Sequence, residues 1–156
     1  MPDVTQLIGP ALVVGFIVIV VLCVIADKNS GKKFKAKIEN EYKLKESMGS
    51  ISITENNEIL LYCGSGSLPG YKVWPLEDVA YFGTNTIPAT NCSFCFMDDS
   101  KKAMKGTYLT PSKKPLLQHK QVTFPAKGQS DLDQFYAFLK KHKSDLMRCD
   151  NGNISE

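Results

Sequence analysis

Cys92 and Cys95 form a Cys-x-x-Cys pair, which is the pattern in this sequence best suited to chemistry. Two thiolates at this spacing can hold zinc or exchange disulfides. A structural zinc site needs four ligands, usually from two such pairs, and redox exchange needs a helix N-terminus to stabilise the thiolate. The residues around this pair are typical of a strand, where the two side chains point to opposite faces. We therefore expect no metal and no cofactor here, and interpret both cysteines as small buried side chains.

The other polar clusters are better explained as loops and turns. Residues 64–70 are rich in glycine, but they lack the Lys-Ser/Thr of a phosphate-binding loop and no helix follows them. Asp98 and Asp99 stand where a hairpin turn is expected, and His119 lies in a lysine-rich loop. No catalytic constellation remains, so the sequence predicts a protein that is not an enzyme.

Residues 7–26 are the strongest signal in the chain, because they form a run of twenty residues without a charge. A helix of this length spans about 30 Å, the thickness of the hydrocarbon core of a bilayer. Fourteen of its side chains are Leu, Ile, Val or Phe, and they leave no polar face for a soluble core. A cleaved signal peptide is the alternative, but the N-terminus has no basic residue and the apolar run is too long. We predict a transmembrane helix with the lipid bilayer as its partner.

The charges that flank this helix predict its orientation. Basic residues follow it at Lys28, Lys32, Lys33, Lys35 and Lys37, whereas residues 1–6 contain none. Because Lys and Arg stay on the cytoplasmic side, residues 1–6 should lie outside the cell membrane and the rest inside. The odd number of cysteines, five, fits a reducing compartment.

Residues 27–49 are predicted to form a basic juxtamembrane connector. Residues 29–31, Asn-Ser-Gly, suggest a break in the helix at the membrane surface. Beyond them Phe34, Ile38 and Tyr42 fall on one helical stripe, although a strand beginning near Lys35 is also compatible with the pattern. The lysines of this connector either contact anionic lipid, at about 1 kcal/mol each, or only set topology, and the two roles are compatible.

Residues 50–148 are predicted to form one mainly β domain of about seven short antiparallel strands with a C-terminal helix. The helix should start at a Ser130 cap with Asp133 reaching back, and should bury Leu132, Phe135 and Leu139 together with Leu146. Residues 149–156 are expected to form a disordered tail. The predicted strands are residues 51–54, 58–63, 71–74, 79–82, 92–97, 103–109 and 121–124.

Three segments carry a resemblance to a known family: ISITENNEILLY at 51–62, WPLEDV at 74–79 and VTFPAK at 122–127, followed by a Phe- and Leu-rich helix. This order resembles the bacterial-type pleckstrin-homology-like (PH-like) domain over residues 50–143. The resemblance implies no catalytic motif. Family members that bind phosphoinositides use basic residues of the first hairpin, but this hairpin tip reads Glu-Asn-Asn-Glu at 55–58, which argues against such a pocket.

The function that these features favour is a membrane-anchored interaction or scaffold module that binds an unidentified membrane or cytoplasmic protein. The alternative is a sensor of anionic lipid headgroups or of the membrane surface. Tyr71 and Trp74 are candidate partner contacts because aromatic residues are enriched at interfaces, although packing in the core or on a sheet face is commoner. A net charge of +3 is too small to suggest nucleic acid.

Overall fold

The computed structural model describes residues 4–64, 70–87, 91–110 and 123–151. A long N-terminal helix precedes a mainly β domain with a C-terminal helix, so the predicted fold class is confirmed. The described residues form α1 (Val4–Glu41), β1 (Leu44–Met48), β2 (Ile51–Thr54), β3 (Glu58–Tyr62), β4 (Tyr71–Pro75), β5 (Tyr81–Ile87), β6 (Asn91–Met97), β7 (Thr107–Leu109), β8 (Phe124–Ala126), α2 (Gln129–His142) and β9 (Met147–Asp150).

Helix α1 is continuous over 38 residues and is about 57 Å long at 1.5 Å per residue. The predicted break at residues 29–31 is therefore wrong, as is the alternative of a strand beginning near Lys35. Asn, Ser and Gly lower helix propensity by only about 0.5–1 kcal/mol each, and helix on both sides propagates through them. The helix ends where the chain reverses at Lys43, which has a φ of 45°.

The strands form two sheets. The first has five strands in the order β1-β2-β3-β4-β7, and the second has four in the order β8-β6-β5-β9. All neighbours are antiparallel except β5 and β9, which are parallel. Strand β1 lies within the predicted connector, and β9 includes Cys149 and Asp150 of the predicted disordered tail. The sheets thus extend beyond both predicted limits of the domain.

Strand β5 shows why one predicted strand end is wrong. The strand runs from Tyr81 through Gly83 to Ile87, whereas the predicted strand ends at residue 82. A Cβ atom at Gly83 would lie 2.9 Å from Sγ of Cys95, so the glycine leaves space for a neighbouring side chain.

The predicted strand at 103–109 is reduced to a bridge at Ala103 and β7. Of the strand predicted at 121–124, residues 121 and 122 lie outside the described residues.

The main core lies between the two sheets and helix α2. Leu132 and Leu139 of the helix are fully buried, and Leu146 is buried beyond its end. The predicted Ser130 cap is wrong, because the cap position is Gly128 and the Ser130 hydroxyl accepts a hydrogen bond from Gln134. The buried aromatic residues of this core are Trp74, Phe82, Phe94, Phe96, Phe124 and Phe138.

Candidate interaction site

A second apolar cluster joins the end of helix α1 to the outer face of the five-stranded sheet. We call this cluster the helix–sheet junction. Ile38 is its central helix residue and is only 5% exposed. The junction consists of Phe34, Ile38, Tyr42, Leu44, Leu60, Tyr62, Tyr71, Val73 and Leu109. The helix that carries the apolar N-terminal segment is therefore packed directly against the β domain.

Strand β3 carries a sequence signal for this junction, a run of consecutive apolar residues. Ile59, Leu60 and Leu61 are three consecutive buried residues of β3. Because side chains alternate along a strand, consecutive burial requires that both faces of the sheet be covered. Ile59 and Leu61 face the main core, whereas Leu60 belongs to the helix–sheet junction. The side chains of Phe34, Ile38 and Tyr42, on one stripe of the helix, cover the face of the sheet that carries Leu60.

Tyr71 lies inside this junction and is 4% exposed. Its ring centroid is 6.1 Å from that of Phe34 and 5.1 Å from that of Tyr62. Burial raises the pKa of Tyr71 to about 12, with a smaller contribution from the charge of Glu39. Tyr71 is therefore a contact of the protein with its own helix, and the prediction that it contacts a partner is corrected.

Trp74 is also buried, on the other face of β4. Its indole is 2% exposed, with ring centroids 4.8 Å from Phe96 and 5.7 Å from Phe124. Its Nε1 donates a hydrogen bond of 3.3 Å to the carbonyl oxygen of Met104. The commoner role of a tryptophan, core packing, applies here, and Trp74 is not available as a partner contact in this conformation.

The connector lysines lie on exposed parts of helix α1. Lys32, Lys33, Lys35 and Lys37 are exposed, and the side chain of Lys28 lies outside the described residues. The Lys35 side chain is 59% exposed, and its Nζ is 3.7 Å from a carboxylate oxygen of Glu39. An exposed pair of this kind contributes little to stability, so these lysines carry their charge at the surface of the helix.

The cysteine pair occupies β6, as the sequence predicted, with the two side chains on opposite faces. Cys92 packs against the main core. Cys95 is fully buried and is paired with Gly83 of the neighbouring strand β5. Burial raises the pKa of the Cys95 thiol to about 11, and the nearby Cys149 acts in the same direction. Among the residues described, no three His, Cys, Asp or Glu side chains are grouped as metal ligands.

Two polar clusters, around Glu46 and around Arg148, join segments that are far apart in the chain, and no local pattern in the sequence predicts either. Glu46 of β1 lies 2.8 Å from Nζ of Lys141 and 3.1 Å from Nε2 of His142, both at the end of α2. The hydrogen bond from Lys141 lowers the pKa of the Glu46 carboxyl. Arg148 of β9 donates 2.6 Å hydrogen bonds to Asp133 and Asp150. These contacts hold the two terminal strands against α2.

No protein-family model, no curated protein and no solved structure matches this chain. Any function proposed for it therefore rests on the helix–sheet junction, the exposed lysines and the exposed apolar side chains between Val13 and Ile25 of α1.

Proposed function

We propose that this protein is a single-pass, membrane-anchored, non-enzymatic interaction module that displays a PH-like domain at the cytoplasmic face of the cell membrane. One observation carries the proposal: helix α1 continues from its apolar segment into the helix–sheet junction without a break. A domain on a flexible linker samples many orientations, whereas this one is oriented by its own anchor. A fixed orientation suits a protein that presents a surface to a partner.

The membrane assignment is supported by the exposed apolar surface of α1. The large apolar side chains between Val13 and Ile25 are 44–69% exposed. The helix is long and apolar enough to cross a membrane, with no part of its apolar window buried against the protein. An apolar surface of this extent is unstable in water, and a bilayer would cover all sides of it.

The PH-like assignment is supported by the order of the elements. Strands β1 to β4 form a consecutive antiparallel meander, a second sheet follows, and α2 packs on the strands of that sheet. Antiparallel strands followed by one C-terminal helix are what the sequence resemblance implies, although β7 returns to the first sheet beside β4. Strand β9, after the helix, is an addition to that order.

The partner surface that we assign is the free edge of β9. This strand is the last in the order β8-β6-β5-β9, so one side of it has no neighbouring strand among the described residues. Met147 on this strand is 48% exposed. An edge strand with an exposed apolar side chain can accept a strand from another protein through backbone hydrogen bonds.

The test uses the intact protein in its native membranes with a photo-cross-linking amino acid at position 147. We expect one protein adduct at position 147, and we expect it to form also when the membranes are irradiated at high salt. The matched control position, the exposed turn residue Asp99, should give no adduct. If neither position gives an adduct while the protein binds anionic liposomes selectively and in a salt-sensitive way, the interaction module is refuted.

That outcome would support the second candidate function, a sensor of anionic lipid headgroups. The observation in its favour is the set of exposed lysines on α1. Attraction between these lysines and anionic lipid weakens as ionic strength rises, whereas a packed protein interface is much less affected. Protease added to intact cells tests the proposed orientation separately, since a cytoplasmic domain should be spared.

A further inference from the structure

We infer that one end of the β domain contacts the lipid headgroup layer, which gives the protein a second membrane contact besides helix α1. This end, which we call the proximal edge, is where Tyr62, Tyr71 and Leu109 lie side by side at the ends of β3, β4 and β7. The inference rests on the proposed membrane anchoring. It adds a surface of the β domain itself to the contact made by the anchor.

The direction of the strands relative to helix α1 follows from two contacts. Near the membrane segment, the ring of Phe34 lies 6.1 Å from that of Tyr71. At the far end of the helix, the backbone N–H of Glu55 donates a 2.9 Å hydrogen bond to the carbonyl oxygen of Lys43, which places the turn before β3 beside the end of α1. Strand β3 therefore begins far from the membrane segment and runs back toward it.

The path of the chain after the helix supports the same direction. The chain reverses at residues 42 and 43, and β1 starts at Leu44 beside the helix end. Strand β1 is antiparallel to β2, and β2 is antiparallel to β3, so β1 and β3 run the same way, back toward the membrane. The turn at residues 55–57, between β2 and β3, accordingly lies at the end of the domain far from the membrane.

The distance to the bilayer follows from the helix rise. Phe34 is eight residues beyond Ala26, the last residue of the apolar run. Eight residues advance about 12 Å, or about 11 Å at a typical tilt of about 20°. Gly70 precedes Tyr71 and accepts a 2.9 Å hydrogen bond from the backbone N–H of Cys63, so the paired backbone reaches about 3 Å closer to the bilayer. Since the headgroup layer is about 5–8 Å thick, the proximal edge reaches its outer boundary.

The side chains at this edge suit a headgroup layer. Tyr108, next to Leu109, is 39% exposed, and its hydroxyl lies over Gly70, where a Cβ would be only 2.5 Å away. Tyrosine, with an apolar ring and a polar tip, is enriched at the boundary between water and membrane. On the helix, Lys32 and Lys33 lie at about the same height as this edge, within about 10 Å of the apolar run. At this height the protein therefore presents an aromatic ring on the β domain and positive charge on the helix.

The test places a small fluorescent amino acid at position 108 of the full-length protein in bilayer nanodiscs whose lipids carry a nitroxide on the headgroup. The matched control carries the same label at Asn57, in the exposed turn at the far end. We expect several-fold stronger quenching at position 108 than at position 57. This difference should be unchanged at high salt, because the length and direction of α1 fix the distance of position 108 from the bilayer. Equal quenching at the two positions would overturn the inference.

A second variant tests whether the helix fixes this distance. Seven helix-forming residues inserted between Ser30 and Gly31 add about two turns, which keeps the orientation of the domain and moves it about 10 Å from the bilayer. We expect quenching at position 108 to fall to the level at position 57, and unchanged quenching would contradict the inference. Carbonate extraction separates the two proposals: protein lost from the membrane refutes the anchoring itself, whereas inserted protein without quenching refutes only the second contact.

Discussion

Replacement of Trp74 by alanine distinguishes a core residue from a partner contact. Burial of an indole removes about 150–250 Å² from water, which corresponds to about 4–6 kcal/mol at about 25 cal/mol per Å² as an upper bound. The variant also loses the hydrogen bond from Nε1 to Met104, a net contribution of about 1 kcal/mol. Since the cavity will relax in part, we expect the free energy of unfolding to fall by about 4 kcal/mol.

Pulse proteolysis over a urea series measures this change in the full-length protein in detergent micelles. The method suits the variant because Trp74 is the only tryptophan, so intrinsic tryptophan fluorescence is lost with it. With a slope of about 2 kcal/mol per M urea, the midpoint should fall by about 2 M. The control is Met147→Ala, at a side chain that is 48% exposed, with an expected change below about 0.5 kcal/mol.

A loss below about 0.5 kcal/mol for Trp74→Ala would refute the core position of this residue. If the expected loss is found, a failure of the same variant to bind a partner would report unfolding and would say nothing about an interface.

Three further changes test other parts of the structure. Ile38→Ala should weaken the helix–sheet junction by about 2–4 kcal/mol, seen as faster hydrogen exchange in β4 with little change in the main core. Gly106→Ala places a Cβ 2.5 Å from the rigid indole and should lower the free energy of unfolding by about 1–3 kcal/mol, whereas Gly15→Ala, whose Cβ would meet no other part of the protein within 4 Å, should not lower it. The hydrogen bond from Lys141 lowers the pKa of Glu46, so this carboxylate stabilises the fold above its ordinary pKa of 4.5, and the effect is lost as pH falls through the lowered pKa. Glu46→Gln should therefore lower the unfolding midpoint at pH 7 and should have a smaller effect at pH 3; an equal effect at both would contradict the assignment.

The sequence alone determined the features that depend on local pattern. An uncharged apolar run of twenty residues predicts one long apolar helix, because it has the length that a helix needs to cross a bilayer. Alternation at Ile51 and Ile53, followed by turn residues, predicts the first hairpin, whose two strands pair as expected. The spacing of Leu132, Phe135 and Leu139 predicts the amphipathic helix that covers the core; Leu132 and Leu139 are fully buried in it, whereas Phe135 is half-buried.

Only the tertiary structure decided which faces of these elements are covered. Tyr71 and Trp74 alternate on β4 as the sequence suggests, but their burial depends on α1 on one side of the sheet and the main core on the other. Strand β9 follows the same rule, because its four residues form a strand only by pairing with β5, more than sixty positions earlier in the chain. Contacts between residues so far apart leave no local period in the sequence, because the free energy that fixes them comes from surfaces that meet only after the chain has folded.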